Sequence, residues 1–139
     1  EDIYAIGDCT NHWNNIYQRY IRLESVQNAI DQAKVVAENI SFGDVSYDSV
    51  PWFWSDQYDI KLQIAGVSQN FDEVIIRGNT LEKSFSCLYL KNRTLIAVDA
   101  INRPRDFIHS KNLIYHKTII DDDKNNIKEI DLKEYLHKS

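Results

Sequence analysis

The chain has 139 residues, 43% of them hydrophobic and 12% aromatic, enough to bury a core and too apolar for wholesale disorder or a low-complexity linker. The 16 Lys and Arg against 21 Asp and Glu leave a formal net charge of −5, a poor match for sequence-independent nucleic-acid binding, which requires clustered cations. No apolar run approaches the roughly 20 residues of a membrane-crossing helix.

Methionine is absent, and the simplest reading is a piece of a longer protein. Cys9 and Cys87 lie far apart with no leader-like segment, which suits a reduced, cytoplasmic setting better than a disulfide scaffold. The charge is uneven: residues 1–50 carry three basic and eight acidic groups, and residues 101–139 carry eight basic and seven acidic. Neither end forms a basic stripe.

In chain order, Ile3-Tyr4-Ala5-Ile6 reads as a short buried strand ending at Gly7-Asp8, where a parallel strand would deliver a loop to a ligand. Residues 9–21 have no period and read as loop. Leu23, Val26, Ile30, Ala33, Ala37 and Ile40 then form one apolar helical stripe, starting near Glu24-Ser25 and stopping before Gly43. The chain divides near residue 44, after which the pattern changes.

Ile60, Leu62 and Ile64 alternate with polar residues as a strand ending at Gly66. Val74 to Arg77 is a second strand, closed by Gly78-Asn79. Phe85, Cys87 and Tyr89 alternate in a third, and Leu95 to Val98 make a fourth, joined to it through Asn92-Arg93 as a hairpin. Asn102-Arg103-Pro104 opens a helix carrying Phe107, Ile108 and Ile114. The remaining tail is charged, with a short helix over Leu132 to Leu136. The expected fold is thus mixed: a strand-loop-helix unit that belongs to a larger α/β sheet, then a small antiparallel sheet with a helix, of α+β type.

Asp8 follows a glycine at the end of a strand, where a carboxylate either receives ligand hydroxyls or caps the turn. The helix start at Ser25 offers unpaired N–H groups and the positive end of a dipole. Pro51-Trp52-Phe53-Trp54 is either core packing or a platform for a planar cofactor. His12, His109, His116 and His137 lack ligand spacing, so no metal site is expected, and Asp121-Asp122-Asp123 reads as a solvated turn. There is no GxGxxG, P-loop or Gly-x-Ser-x-Gly.

Three separated motifs, Ile3-Tyr4-Ala5-Ile6-Gly7-Asp8-Cys9, Arg22-Leu23-Glu24-Ser25-Val26-Gln27-Asn28-Ala29 and Val50-Pro51-Trp52-Phe53-Trp54-Ser55-Asp56-Gln57-Tyr58-Asp59, appear in order. Together they resemble the C-terminal part of NAD-dependent ferredoxin reductases, the FAD flavoproteins of the putidaredoxin reductase and aromatic-ring dioxygenase reductase family. The resemblance continues through Lys61 to Gly66, Val98-Asp99-Ala100 and Asn102 to Phe107, covering about residues 3–115.

The resemblance implies that residues 1–43 end a Rossmann-like FAD-binding domain and residues 44–139 form a reductase C-terminal interface domain. It places Gly7 and Asp8 at the ribityl chain, Ser25 and Val26 at the flavin's pyrimidine edge and Trp54 beside the ring. It implies FAD as cofactor, NADH as co-substrate and a ferredoxin-type iron–sulfur protein as partner; Lys34, the only cation on an otherwise acidic helix, and Trp54, in an aromatic cluster beside polar residues, are expected to border the docking site. A homodimer is compatible with it. The NAD domain and the glycine fingerprint for the FAD pyrophosphate are not in this sequence, so hydride transfer is expected of the longer protein and not of these residues alone. Two alternatives stand beside this reading: a stand-alone interaction or dimerisation module, and a flavoprotein of the apoptosis-inducing-factor or nitrite-reductase type.

Overall fold

The computed structural model describes residues 3–43, 45–121 and 124–137. It divides into two compact units, Glu1–Phe53 and Trp54–Ser139.

In the first unit, residues 3–6 form no strand, contrary to the sequence expectation. A strand requires a neighbour for its backbone groups, and none pairs with this segment among the described residues; Ile3 is 92% exposed. A single 3-10 turn follows at Gly7–Cys9. Where a loop is expected, β1 (His12–Asn14) and β2 (Arg19–Ile21) pair as an antiparallel hairpin. Its turn is organised by the buried Asn14, whose side-chain oxygen accepts the N–H groups of Ile16 (3.0 Å) and Tyr17 (3.2 Å). That Asx geometry substitutes for the hydrophobic periodicity that would have announced the strands.

Helix α1 (Val26–Phe42) begins at the N-cap Ser25, whose hydroxyl accepts the Asn28 N–H at 3.2 Å. It ends at Gly43, which has φ +79° and donates to the Asn39 carbonyl. Asn39 then grips Val45 from both sides, through Nδ2 to its carbonyl (2.8 Å) and Oδ1 from its N–H (2.7 Å). The helix is where the sequence places it, and its apolar stripe is left uncovered by the described residues. Its buried residues are Asn28 and Gln32, whereas Val26, Ile30, Ala33, Ala37 and Ile40 of the apolar stripe are exposed.

The second unit is built on a five-stranded antiparallel sheet in the order β3-β4-β7-β6-β5. The strands are β3 (Trp52–Gln57), β4 (Ile60–Gly66), β5 (Glu73–Asn79), β6 (Ser84–Lys91) and β7 (Thr94–Ile101). The β6–β7 hairpin forms as expected, with Asn92 (φ 48°) and Arg93 (φ 65°) both left-handed. β3 is an addition: the aromatic cluster is itself a strand.

The face of β6 that enters the core is Ser86, Leu88 and Leu90, so the alternating Phe85, Cys87 and Tyr89 point the other way. Leu88 and Leu90 join Ala65, Ile75, Leu95, Val98 and Ala100 on the face toward helix α2 (Pro104–Tyr115), which contributes Phe107, Leu113 and Ile114. The tail folds as α3 (Lys124–Glu129) and, where a short closing helix is expected, a 3-10 helix over Leu132–His137. Its buried Ile127, Leu132 and Tyr135 are too widely spaced among charges to read as an amphipathic stripe. Asp121 pairs with Arg93 at 2.7 Å; Asp122 and Asp123 lie outside the described residues.

Gly78 is fixed by close approach. A Cβ on it would stand 2.4 Å from the Ser84 carbonyl oxygen and 2.6 Å from the Arg103 guanidinium, at a φ of +86°.

Candidate functional site

Gly7, Asp8, Ser25 and Val26, all singled out from sequence, come together in the first unit. Asp8, Ser25 and Val26 line a cleft of about 470 Å³ with Glu24, Ala29, Ile30 and Phe53. The cleft combines a carboxylate, the N-terminus of α1 and an apolar wall. Such a mixture suits a ligand that is planar and apolar over most of its surface and polar at its edges.

Gly7 shapes the turn that presents Asp8. Its φ of +81° is left-handed, and its N–H donates to the side-chain oxygen of Gln32 at 2.7 Å. The Thr10 hydroxyl approaches both the Gly7 carbonyl (2.8 Å) and the same Gln32 oxygen (3.1 Å). Beyond Gln32 the network continues: its Nε2 meets His12 Nδ1 at 3.1 Å, and the His12 ring lies edge-on to Tyr47 with centroids 4.9 Å apart. Tyr47 donates to Asn28 Oδ1 (3.1 Å), and Asn28 Nδ2 returns to the Leu23 carbonyl (3.1 Å).

The turn and the first two turns of α1 are therefore one hydrogen-bonded body. Burial holds His12 below its usual pKa. Burial, then the nearby Asp31 charge, push Tyr47 up to about 12 against an opposing bond with Ser49. Thr10, His12, Asn28, Gln32 and Tyr47 escaped the sequence reading. Two polar residues four apart in a helix, Asn28 and Gln32, were the available signal.

Trp54 lies on β3 in the second unit and is 39% exposed. Phe53 is the member of the aromatic cluster that lines the cleft; strand alternation turns Trp52 and Trp54 to the opposite side of β3. Lys34 stands on α1 about 13 Å along the axis from Ser25 by the helical rise. It is 69% exposed and 3.9 Å from Asp31.

The Asn102 to Phe107 motif has a structural use. Asn102 (φ 52°) accepts the Lys61 N–H through Oδ1 at 2.9 Å and donates through Nδ2 to Lys83 O and Asp59 O, fastening three segments. Burial raises the Asp106 carboxyl, but the hydrogen bond from Ser86 and the guanidinium groups of Arg77 and Arg103 outweigh it and hold the group below its usual range. No helix of the described residues is long and apolar enough to cross a membrane.

The family described as Reductase C-terminal matches residues 52–136. The chain is 43% identical over 124 residues to the ferredoxin reductase subunit of 5,5'-dehydrodivanillate O-demethylase from Sphingobium sp., covering 88% of this chain and 30% of that protein. A ferredoxin–NAD(P)+ reductase from Sphingomonas sp. is 43% identical over 121 residues, covering 86% of this chain and 29% of that one. Among solved structures, putidaredoxin reductase in its covalent complex with putidaredoxin superposes with a TM-score of 0.86 at 36% identity, over 96% of this chain and 32% of its own. The chain thus spans about a third of the length of the relatives it matches.

Proposed function

This chain belongs to the reductase C-terminal family, and on that premise we propose that it is the C-terminal part of an FAD-dependent reductase that passes electrons from NADH to a ferredoxin-type iron–sulfur protein. Residues 1–43 end the FAD-binding domain in this reading, and residues 44–139 are the reductase C-terminal domain. The observation that carries it is the convergence of Asp8 with Ser25 and Val26 on one cleft.

The residues present fit a flavin. Asp8 would accept from ribityl hydroxyls, and the N-terminus of α1 at Ser25 and Val26 would face the electron-rich pyrimidine edge. Val26, Ala29, Ile30 and Phe53 supply an apolar wall for the ring. FAD, when bound, would accept a hydride and release electrons singly. The protein's own part is to bind, orient and shield. The uncovered stripe of α1 supports a segment of a longer protein over a stand-alone module, since such a stripe is ordinarily buried. The unpaired thiols Cys9 and Cys87 support a reducing, cytoplasmic setting.

The test is to express the uninterrupted reading frame containing this segment. Its flavin is then quantified, and NADH-dependent reduction of a ferredoxin is followed. Co-purified FAD with ferredoxin reduction is expected; a flavin-free protein with no NADH oxidation sinks the reading. The isolated 139 residues, which carry no glycine-rich dinucleotide fingerprint, should bind FAD weakly or not at all. Micromolar or tighter stoichiometric binding, followed by flavin fluorescence, would contradict that.

A further inference from the structure

We propose that Gln32 and His12 are positioning residues that hold the Gly7–Asp8 turn in its ligand-binding form, and that the hold exists only while His12 is neutral.

The argument rests on donor and acceptor identities. A backbone N–H can only donate, so the 2.7 Å contact from Gly7 fixes the Gln32 amide with Oε1 toward the turn. Gln32 Nε2 is then the atom facing His12 Nδ1 at 3.1 Å, and an amide nitrogen can only donate. Nδ1 must therefore carry a lone pair, which assigns His12 as the neutral Nε2–H tautomer.

A proton on Nδ1 would set two donors against each other. Turning the Gln32 amide over does not help, because its nitrogen would then face the Gly7 N–H. The two bonds are thus linked: an imidazolium at His12 and a Gly7–Gln32 hydrogen bond exclude each other in this geometry.

The surroundings favour the neutral form. His12 Nε2 is buried without a hydrogen-bond partner among the described residues. Tyr47, from the segment after α1, faces the ring edge-on, and Ile21 lies opposite on β2. Asp31, beside Gln32 on α1, is engaged by Gln27 Nε2 at 2.7 Å and Lys34 at 3.9 Å. The consequence for Asp8 rests on the flavin reading above; the linkage itself does not.

The experiment is a pH titration of the 139-residue chain by two-dimensional NMR, reading the His12 ring nitrogens and the Gly7 amide together. The Nε2–H tautomer is expected at neutral pH. The Gly7 amide should shift upfield as its bond is lost, with the same midpoint as His12 and below the ordinary histidine value of 6.5. An Nδ1–H tautomer, or a Gly7 amide that stays put while His12 titrates, overturns the proposal.

Gln32→Glu gives a reversal that a merely structural role would not. A carboxylate accepts from both the Gly7 N–H and an imidazolium, so the His12 midpoint should move above 6.5 and the Gly7 shift should persist at acid pH. A midpoint that stays low in a folded Gln32→Glu chain counts against the proposal. Should that variant fail to fold, the wild-type titration decides alone. In the longer protein, flavin release should accelerate severalfold through the same midpoint. Coupled titration with pH-independent flavin release would uphold the linkage and detach the Gly7–Asp8 turn from flavin binding, whereas a longer protein without flavin would sink the flavin reading alone.

Discussion

The Ser86 hydroxyl donates to the Asp106 carboxylate at 2.6 Å, joining the middle of strand β6 to the first turn of α2 in the interior of the second unit. Arg77 reaches the same oxygen from β5 at 3.4 Å and Arg103 at 2.8 Å. Arg77 also donates to the carbonyls of Ile127 and Ile130 (2.9 Å for the latter), so the chain's tail is fastened through the same guanidinium. One carboxylate thus organises an edge strand, a helix start and the closing segment.

Removing that charge leaves a buried guanidinium unpaired. Asp106→Asn should cost about 3–5 kcal/mol, the range for breaking a buried pair. Urea unfolding of the chain followed by circular dichroism measures it. Because the folded-state pKa of Asp106 is depressed, its contribution is present above the unfolded value of 3.8 and is lost as pH falls through the lower folded value. The wild type should therefore lose stability in acid more steeply than Asp106→Asn. Equal acid slopes would place the pair's energy elsewhere.

The second unit was largely legible because its strands alternate and its turns carry left-handed residues such as Asn92, Arg93 and Asn102. What escaped was organised by side chains instead of periodicity. The β1–β2 hairpin depends on Asn14, and the tail depends on Arg77 reaching 50 residues ahead to Ile127. The stripe of α1 located the helix correctly but carried no sign of its polar inner face, where Asn28 and Gln32 are buried by the hydrogen bonds they make. Ser25 and Val26 were legible because helix starts have local signatures, whereas Gly7 and Asp8 were singled out by a strand that does not form.

Ser25 has two assignments that substitution separates. As N-cap, its loss in Ser25→Ala should cost about 1 kcal/mol of stability, while Ser25→Asp preserves the cap and should cost little. If the cleft takes an electron-rich flavin edge, Ser25→Asp should still lower flavin retention in the longer protein by like-charge repulsion. Flavin content and thermal melts of both variants decide. Full flavin with Ser25→Asp would leave Ser25 as a cap alone.

Asp8 is exposed at the cleft, and its side chain is not part of the clamp network that fastens Gly7. Asp8→Ala should change stability by no more than about 0.5 kcal/mol. In the longer flavoprotein it should lower FAD occupancy through loss of a charge-assisted bond worth about 1.5–3 kcal/mol. The two measurements are flavin-to-protein ratio and melting temperature on the same preparation. Complete flavin retention would reduce Asp8 to a turn residue.

Lys34 tests the delivery of electrons to a partner. It is the one cation on α1, between Asp31 and Glu38, and its side chain is 69% exposed. Its contact with Asp31 is long at 3.9 Å and lies at the surface, so it restrains the side chain little. Encounters between redox proteins bury small areas, and charge sets their association rate more than their final affinity. Lys34→Glu in the longer reductase should slow ferredoxin reduction by roughly tenfold at low salt, within the range of electrostatic steering. The deficit should fade as added salt shortens the Debye length below about 10 Å. NADH oxidation with a small uncharged acceptor should stay near the wild-type rate, because the substitution leaves the cleft at Asp8 and Ser25 intact. Steady-state rates with both acceptors across a salt series separate a docking effect from general damage. Unchanged ferredoxin kinetics at low salt would remove Lys34, and with it this face of α1, from the partner's landing site.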